Sequence, residues 1–511
     1  MWLFNFIRKF FHSYIFFLIL VLLFFAPFTG FTLQKPYAIF NIVFFIIALT
    51  ACFLIIKFLK KYKFKNKKIT QILKDDKSYK KIVVVSFVLL LILQIFICYG
   101  GYFIVGWDTR NVIFPEKQIN SDYMSMYTNQ LFLAGIFRRI YNLCLWLGIN
   151  EFNDYYLVLV ILSAFSCAIC VLLSGFIAKK IKGNMCGIST YFLSYIFIGL
   201  NPYIMVPYSD TFAMLATTIV LYIYVCCKNK WIKTLFIPLI SVIGYSIKPT
   251  AIFVFISILI IESVFFIKNF KFDRKLFKIL PVLAILAISI FSGFTIKNAV
   301  CNYGVEINEN KSFSATHFLM MGVNIVTRGA WDDKDVKYSR SFNTQEEREE
   351  ANIEKWKERV INLGPLGLMW IFLNKTATNF SDGSFAWEYE KPWMISNVGN
   401  NMIVKFIYGI DSPHNINLAN NLFSYPYQSI WFAILIGCWL LKLDKSLSKS
   451  KSCLFITILA ISAFLTIFEP DPRYLLLYLP FFCITSILGW YTASKIINKN
   501  YILSNIKTLK A

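Results

Sequence analysis

Long apolar runs separated by short polar stretches fill the chain almost from end to end. Runs at 13–33, 38–56, 82–105 and 155–178, then at about 185–201, 211–227, 234–247, 250–267, 279–296, 425–441, 453–468 and 474–494, are long enough to cross roughly 30 Å of hydrocarbon. They predict an all-α polytopic membrane protein of about 12 transmembrane helices. Two further apolar stretches do not fit as spans. In 131–149, Arg138 and Arg139 sit mid-stretch, which suits an amphipathic helix lying in the membrane plane. The stretch 366–373 is too short and reads as interfacial or re-entrant. Ahead of it, Thr344-x-x-Glu347 has the spacing of a capping box and predicts a polar helix over about 345–362, ending near Gly364-Pro365.

Composition agrees with lipid as the solvent: 57% of residues are hydrophobic and only 16% charged, where a soluble chain carries about 25%. The first apolar run follows Arg8 and Lys9 but is too long for a signal peptide and lacks a small-x-small cleavage site, so an uncleaved first span is expected. The formal charge of +24 is unevenly placed. Eleven Lys fall in 57–81, and other basic clusters lie at 179–182, 228–233, 268–278, 442–451 and 495–510, whereas 297–424 holds 13 Lys and Arg against 15 Asp and Glu. Short cytoplasmic loops retain Lys and Arg during insertion, so both termini are expected in the cytoplasm of a cell membrane. The residue usage, rich in Phe, Ile, Lys and Asn, suggests a bacterial source. Three regions follow: 1–296, an N-terminal transmembrane part with an outer loop at 106–154; 297–424, a large extracytoplasmic segment; and 425–511, C-terminal helices with a basic tail. Because the basicity reports topology, no nucleic-acid partner is expected. The twelve Cys are scattered and imply no disulfide framework.

Candidate chemistry concentrates at the outer ends of spans. Gly106-Trp107-Asp108-Thr109-Arg110 places a carboxylate where a span leaves the membrane; it can act as a desolvated base or merely cap a helix. Asp122, Tyr127 and Asn129 follow in the same loop. Lys248, in Ile247-Lys248-Pro249, and Arg473, in Glu469-Pro470-Asp471-Pro472-Arg473-Tyr474, are cations at outer turns, against the local charge bias. They suit a phosphate, the Arg as a fork and the Lys as a point charge; snorkelling, or pairing of Arg473 with Glu469 or Asp471, is the plainer reading. Asp210 precedes an apolar run, where a helix cap is the simpler role and orienting sugar hydroxyls or a metal-bridged phosphate the functional one. The large segment offers His317, Arg328, Trp331, Asp332, Asp333 and Asp335, then Lys375, Asp382, Trp387, Glu388 and Trp393, a mixture of aromatic rings and carboxylates that suits sugars and also populates interfacial belts. Asp332-Asp333-Lys334-Asp335 lacks the Gly and terminal Glu of a calcium loop. No metal or other cofactor is assigned. The chain shows no phosphate-cradling Gly-rich loop, Gly-x-Ser-x-Gly elbow or Cys-His arrangement.

The Trp107-Asp108 pair at the end of an early span, the Tyr-rich turn Tyr123-Met124-Ser125-Met126-Tyr127-Thr128-Asn129 and the in-plane helix after it resemble the first outer loop of the GT-C superfamily of membrane glycosyltransferases, particularly Gram-positive relatives of the protein-mannosyltransferase and aminoarabinose-transferase group. That resemblance implies transfer of a sugar from a polyprenyl-phosphate carrier to a cell-envelope acceptor (a glycopolymer, lipid or protein) with inversion, Asp108 activating the acceptor. Thr109 stands where many relatives carry a second acid and Thr128 where Pro is common. On this reading Lys248 and Arg473 hold the donor phosphate, and Asp122, Tyr127, Asn129, Asp210, Arg328 and Trp331 contact substrate. A flippase for lipid-linked saccharides, or a polysaccharide polymerase or ligase, is the alternative; a transporter would bury ionisable groups in mid-span, where only Glu262 stands out.

Overall fold

Backbone amides in hydrocarbon find no water, so an apolar run satisfies its own hydrogen bonds by coiling. The computed structural model describes residues 2–28, 39–65, 75–106, 108–113, 121–269, 276–301, 306–387, 394–397, 399–410 and 422–508. Trp107, Glu388, Trp393 and most of the 268–278 loop lie outside the described residues. Within them, 11 helices are long and apolar enough to cross a membrane: Trp2–Phe28, Asn41–Phe58, Asp76–Gly101, Phe152–Lys182, Ser209–Cys226, Lys230–Ile247, Pro249–Lys268, Pro281–Cys301, Ser424–Leu443, Lys449–Ile467 and Pro472–Ile497. Each corresponds to an expected run. Their outward faces carry large apolar side chains, such as Ile92 at 57% and Phe291 at 74% exposure, as surfaces bathed in lipid do.

The run expected at 185–201 differs in form. An 11-residue helix, Asn184–Ser194, passes into the π-helical Tyr195–Gly199 and then a buried 3-10 turn, Pro202–Met205. Asn184 donates to Asp76 at 2.9 Å, and Gln94 donates to the Gly199 carbonyl at 2.8 Å. The segment therefore runs beside Asp76–Gly101 from that helix's first turn toward its last. Pro202 supplies no amide and ends the helix early, leaving a buried non-helical stretch that carries Tyr203 and Tyr208.

Close helix contacts rest on glycines. At Gly183, φ is +90°, a conformation that lets Phe152–Lys182 fold back directly into Asn184–Ser194. A Cβ on Gly489 would fall on the carbonyl oxygen of Gly437, so two long helices touch backbone to backbone. Gly489→Ala is expected to destabilise the protein by roughly 2–3 kcal/mol through overpacking, seen as a lowered Tm in detergent. An unchanged Tm would mean that these helices have room to separate.

Neither of the two uncertain apolar stretches is among the 11 spans. Leu131–Trp146 is a helix outside the 11 spans, and Arg139 donates to the carbonyls of Ala299 at 2.6 Å and Val300 at 3.0 Å, satisfying orphan acceptors at the end of Leu276–Cys301. Thr344 and Glu347 form the capping box, and the helix Gln345–Phe380 breaks at Gly364, where φ is +58°. Its second half lies against the first span, with Phe372 stacked on Phe17 at 6.0 Å and Trp370 edge-on to Phe25 at 5.3 Å.

At one end of the bundle Asp444 accepts from Lys182 at 2.6 Å and Lys451 at 2.9 Å, its carbonyl accepts from Arg8, and Glu262 pairs with Lys449 at 2.6 Å. Glu262 thus belongs to an ion-paired end of the bundle. At the other end, Phe103–Val105 pairs antiparallel with Met394–Asn397, tying the loop after Asp76–Gly101 to the far end of the large segment. The polar cluster around Asp108 lies at this second end.

Candidate functional site

Asp108 opens the short helix Asp108–Ile113 and is half-buried. Two phenols lie close to it: Tyr208 donates to Asp108 Oδ2 at 3.3 Å, and Tyr123 is near enough to feel its charge. Gln130 Nε2 donates to the Tyr208 oxygen at 2.6 Å. Burial first, then the Asp108 charge, pushes both phenols well above the ordinary tyrosine range, so they stay protonated and Tyr208 acts toward Asp108 as a donor. A carboxylate has about four acceptor positions, which leaves room for a further donor such as a substrate hydroxyl.

Asp210 does not cap its helix. The N-cap of Ser209–Cys226 is Tyr208, with no side-chain cap bond, and Asp210 turns instead to Lys248, with which it forms a buried ion pair, while its other oxygen lies 3.9 Å from Arg473 Nε. Two cations hold a buried carboxylate more strongly than one amide does. Lys248 is placed by local chain chemistry: it precedes Pro249, which excludes the helical region, and its φ of −149° ends Lys230–Ile247. Burial pulls the Lys248 ammonium below its ordinary range, with Asp210 opposing. Arg473 follows Pro472, the first residue of the turn Pro472–Tyr478; Asp471 caps that turn by accepting from Arg473 N at 2.8 Å and also takes Nη2 at 3.2 Å.

Aromatic rings join these groups into one site. The Arg473 guanidinium carbon lies 5.5 Å from the Tyr208 ring centre and 5.9 Å from that of Tyr474, and Lys248 Nζ stands 4.2 Å over the Tyr474 ring. Tyr208 therefore touches Asp108 with its hydroxyl and faces Arg473 with its ring. Tyr474 in turn donates to Glu469 Oε2 at 3.4 Å. Four residues selected from sequence, Asp108, Asp210, Lys248 and Arg473, meet here, although they come from distant parts of the chain. Nothing in the sequence marks out Tyr208, Gln130 or Tyr474, and Glu469 stands out there only as a partner for Arg473. Among the described residues no group of three or more His, Cys, Asp or Glu is placed to hold a metal ion.

The other candidates lie elsewhere or at the margin. Tyr127 is half-buried, 4.8 Å from the Tyr123 ring, and feels both Asp108 and Glu469. Asp122 is exposed and paired with Lys311 at 2.6 Å, Asn129 is exposed, and Trp331 is 57% exposed. Arg328 donates to Asn374 at 3.0 Å from a left-handed backbone position, φ +57°. Asp382 accepts from Ser384 and Ala386 in a buried turn.

Part of the large segment packs against the loop that carries Asp108. Asn308 N donates to Ser125 at 3.0 Å, Phe313 N donates to the Met126 carbonyl at 2.9 Å, and the Phe313 ring meets Tyr127 edge-on at 5.5 Å. Within that segment, buried Arg348 donates to the carbonyls of Ser339, Asn310, Ser312 and Phe342, and Asp335 takes Arg359 through both oxygens. Burial lowers the His317 ring to about 4, so it bonds Ser339 as a neutral group. These contacts read as the internal frame of the segment. Lys375 is fully buried and donates to the carbonyls of Gly322 at 2.9 Å and Ile467 at 3.2 Å, linking the frame to the turn that bears Glu469.

A family model described as conserved hypothetical integral membrane protein matches residues 3–494. Compared with curated proteins and with solved structures, the chain matches none.

Proposed function

The chain belongs to the conserved hypothetical integral membrane protein family, and we propose that it is a membrane glycosyltransferase that moves a sugar from a polyprenyl-phosphate carrier to a cell-envelope acceptor outside the cytoplasm. The observation that carries this reading is the meeting of Asp108 with Lys248 and Arg473 around Tyr208 and Tyr474 at one end of the bundle. In the mechanism Asp108 takes the proton of an acceptor hydroxyl, whose oxygen attacks the anomeric carbon; the C–O bond to the carrier breaks, and the departing phosphate keeps the electron pair. Charge grows on that phosphate in the transition state, and cations already held in place by Asp210 and Asp471 stabilise it without reorganising. Tyr208 orients Asp108. Among the described residues, the Lys clusters at 179–182 and 442–451 lie at the opposite end, around Asp444, which supports an extracytoplasmic location for the site.

The rival flippase reading calls for ionisable groups along a route between the two faces. In the described residues the carboxylate ion pairs collect at the two ends, around Asp444 and Glu262 and around Asp210. The test is transfer of radiolabelled sugar from polyprenyl-phosphate donors by purified protein in liposomes. Labelled acceptor product is the expected result; movement of donor lipid between leaflets with no transfer would overturn the enzyme reading in favour of the flippase.

A further inference from the structure

Glu469 has no role in that mechanism, yet it stands inside the cluster. It occupies the turn between Lys449–Ile467 and Pro472–Tyr478, is half-buried, and has one oxygen engaged by the Tyr474 hydroxyl. The charged and titratable groups facing it come from three parts of the chain: Asp471, Arg473 and Tyr474 from its own turn, Asp108 and Tyr127 from the 106–154 loop, and Lys375 from Gln345–Phe380. Their charges do not favour another anion. Lys248 and Arg473 are already shared with Asp210 and Asp471, and Lys375 is turned to two carbonyls. A phosphate entering beside Arg473 would meet Asp471, Asp108 and Glu469 together. An ionised Glu469 would repel it, whereas a carboxylic acid there would donate a hydrogen bond through the oxygen that Tyr474 leaves open. Burial, followed by Asp471 and Asp108, pushes the Glu469 carboxyl up to about 8, and burial brings Lys375 down to about 7.

We propose that Glu469 is a further binding residue of this site, a neutral acid that donates a hydrogen bond to the phosphate of the lipid carrier, so that phosphate binding requires a proton on this side chain. The inference rests on the phosphate being held by Lys248 and Arg473. The sign follows from the raised carboxyl: binding is complete where Glu469 is protonated and is lost as pH rises through its folded value.

The test is binding of farnesyl phosphate to the full-length protein in detergent, from about pH 7 to about pH 9.5, a window in which a phosphate monoester is already dianionic. Wild-type affinity should fall by roughly tenfold or more across it, whereas Glu469→Gln, which keeps a donor and cannot ionise, should vary by less than about threefold. Deprotonation of Lys248 or Lys375 would weaken both proteins alike, so parallel profiles would overturn the role of Glu469 while leaving the phosphate site intact. Absence of binding at every pH, or binding indifferent to Lys248→Ala and Arg473→Ala, would overturn the site reading itself. Should Glu469→Gln fail to fold, infrared spectra of the wild type decide: a protonated-carboxyl stretch near neutral pH that shifts on adding farnesyl phosphate is expected, and its absence refutes the proposal.

Discussion

Asp108→Asn is expected to lower sugar transfer by roughly 100- to 10,000-fold, the span general-base catalysis contributes, while farnesyl phosphate still binds. The substitution is nearly isosteric and leaves Lys248, Arg473 and their carboxylate partners untouched, so the phosphate subsite persists. What it removes is the capacity to take a proton. It also replaces one acceptor oxygen by an amide donor beside the Tyr208 hydroxyl, which donates to Asp108, at a cost of about 1 kcal/mol in stability where that bond is lost. The loss should therefore appear in kcat with little change in donor KM. Transfer retained within tenfold of wild type, in protein whose Tm is near normal, would remove Asp108 from the base role.

Much of the fold was legible because lipid imposes a length and a composition that few other environments require. Eleven of the expected runs are helices of spanning length, and the capping box, the Gly364 break and the non-spanning helix around Arg139 each follow from local chemistry that a sequence displays. The 185–201 run was harder to interpret, since hydropathy does not register that Pro202 and a π-helical turn shorten the helix and bury an irregular stretch. Of the site, sequence displays charges out of place: Asp108, Lys248 and Arg473 stand at span ends where the bias runs against them or where burial is implied. It does not display their partners. Tyr208 lies 100 residues from the Asp108 it bonds, and a tyrosine among 28 carries no distinguishing mark. Asp210 reads as a cap because Asx residues before apolar runs usually are; Tyr208, two residues earlier, takes that position, and the buried cations supply the stronger partner. In the sequence Glu469 is marked only as a neighbour of Arg473, because what pushes its carboxyl up is burial first, then Asp471 and Asp108, and neither the burial nor the approach of Asp108 is displayed by the sequence.

Arg473→Ala should be the second severe substitution, with two effects that can be separated. The guanidinium lies between the rings of Tyr208 and Tyr474 and faces Asp471 and Asp210, so its removal leaves two carboxylates short of a cation and is expected to destabilise the protein by roughly 3 kcal/mol. It also withdraws a preorganised charge from the departing phosphate, worth roughly 100- to 1,000-fold in transfer. Arg473→Lys keeps the charge and loses the planar fork and its stacking, so its transfer should fall between the two. Arg473→Ala combined with Asp471→Ala separates fold from chemistry, because Lys248 still pairs with Asp210 while the unmatched carboxylate beside the lost cation is gone. The double variant should regain much of the Tm lost by the single one and remain as deficient in transfer. Recovery of transfer along with Tm would show that Arg473 acts only through the fold, and the phosphate would then have to be held by Lys248 without it.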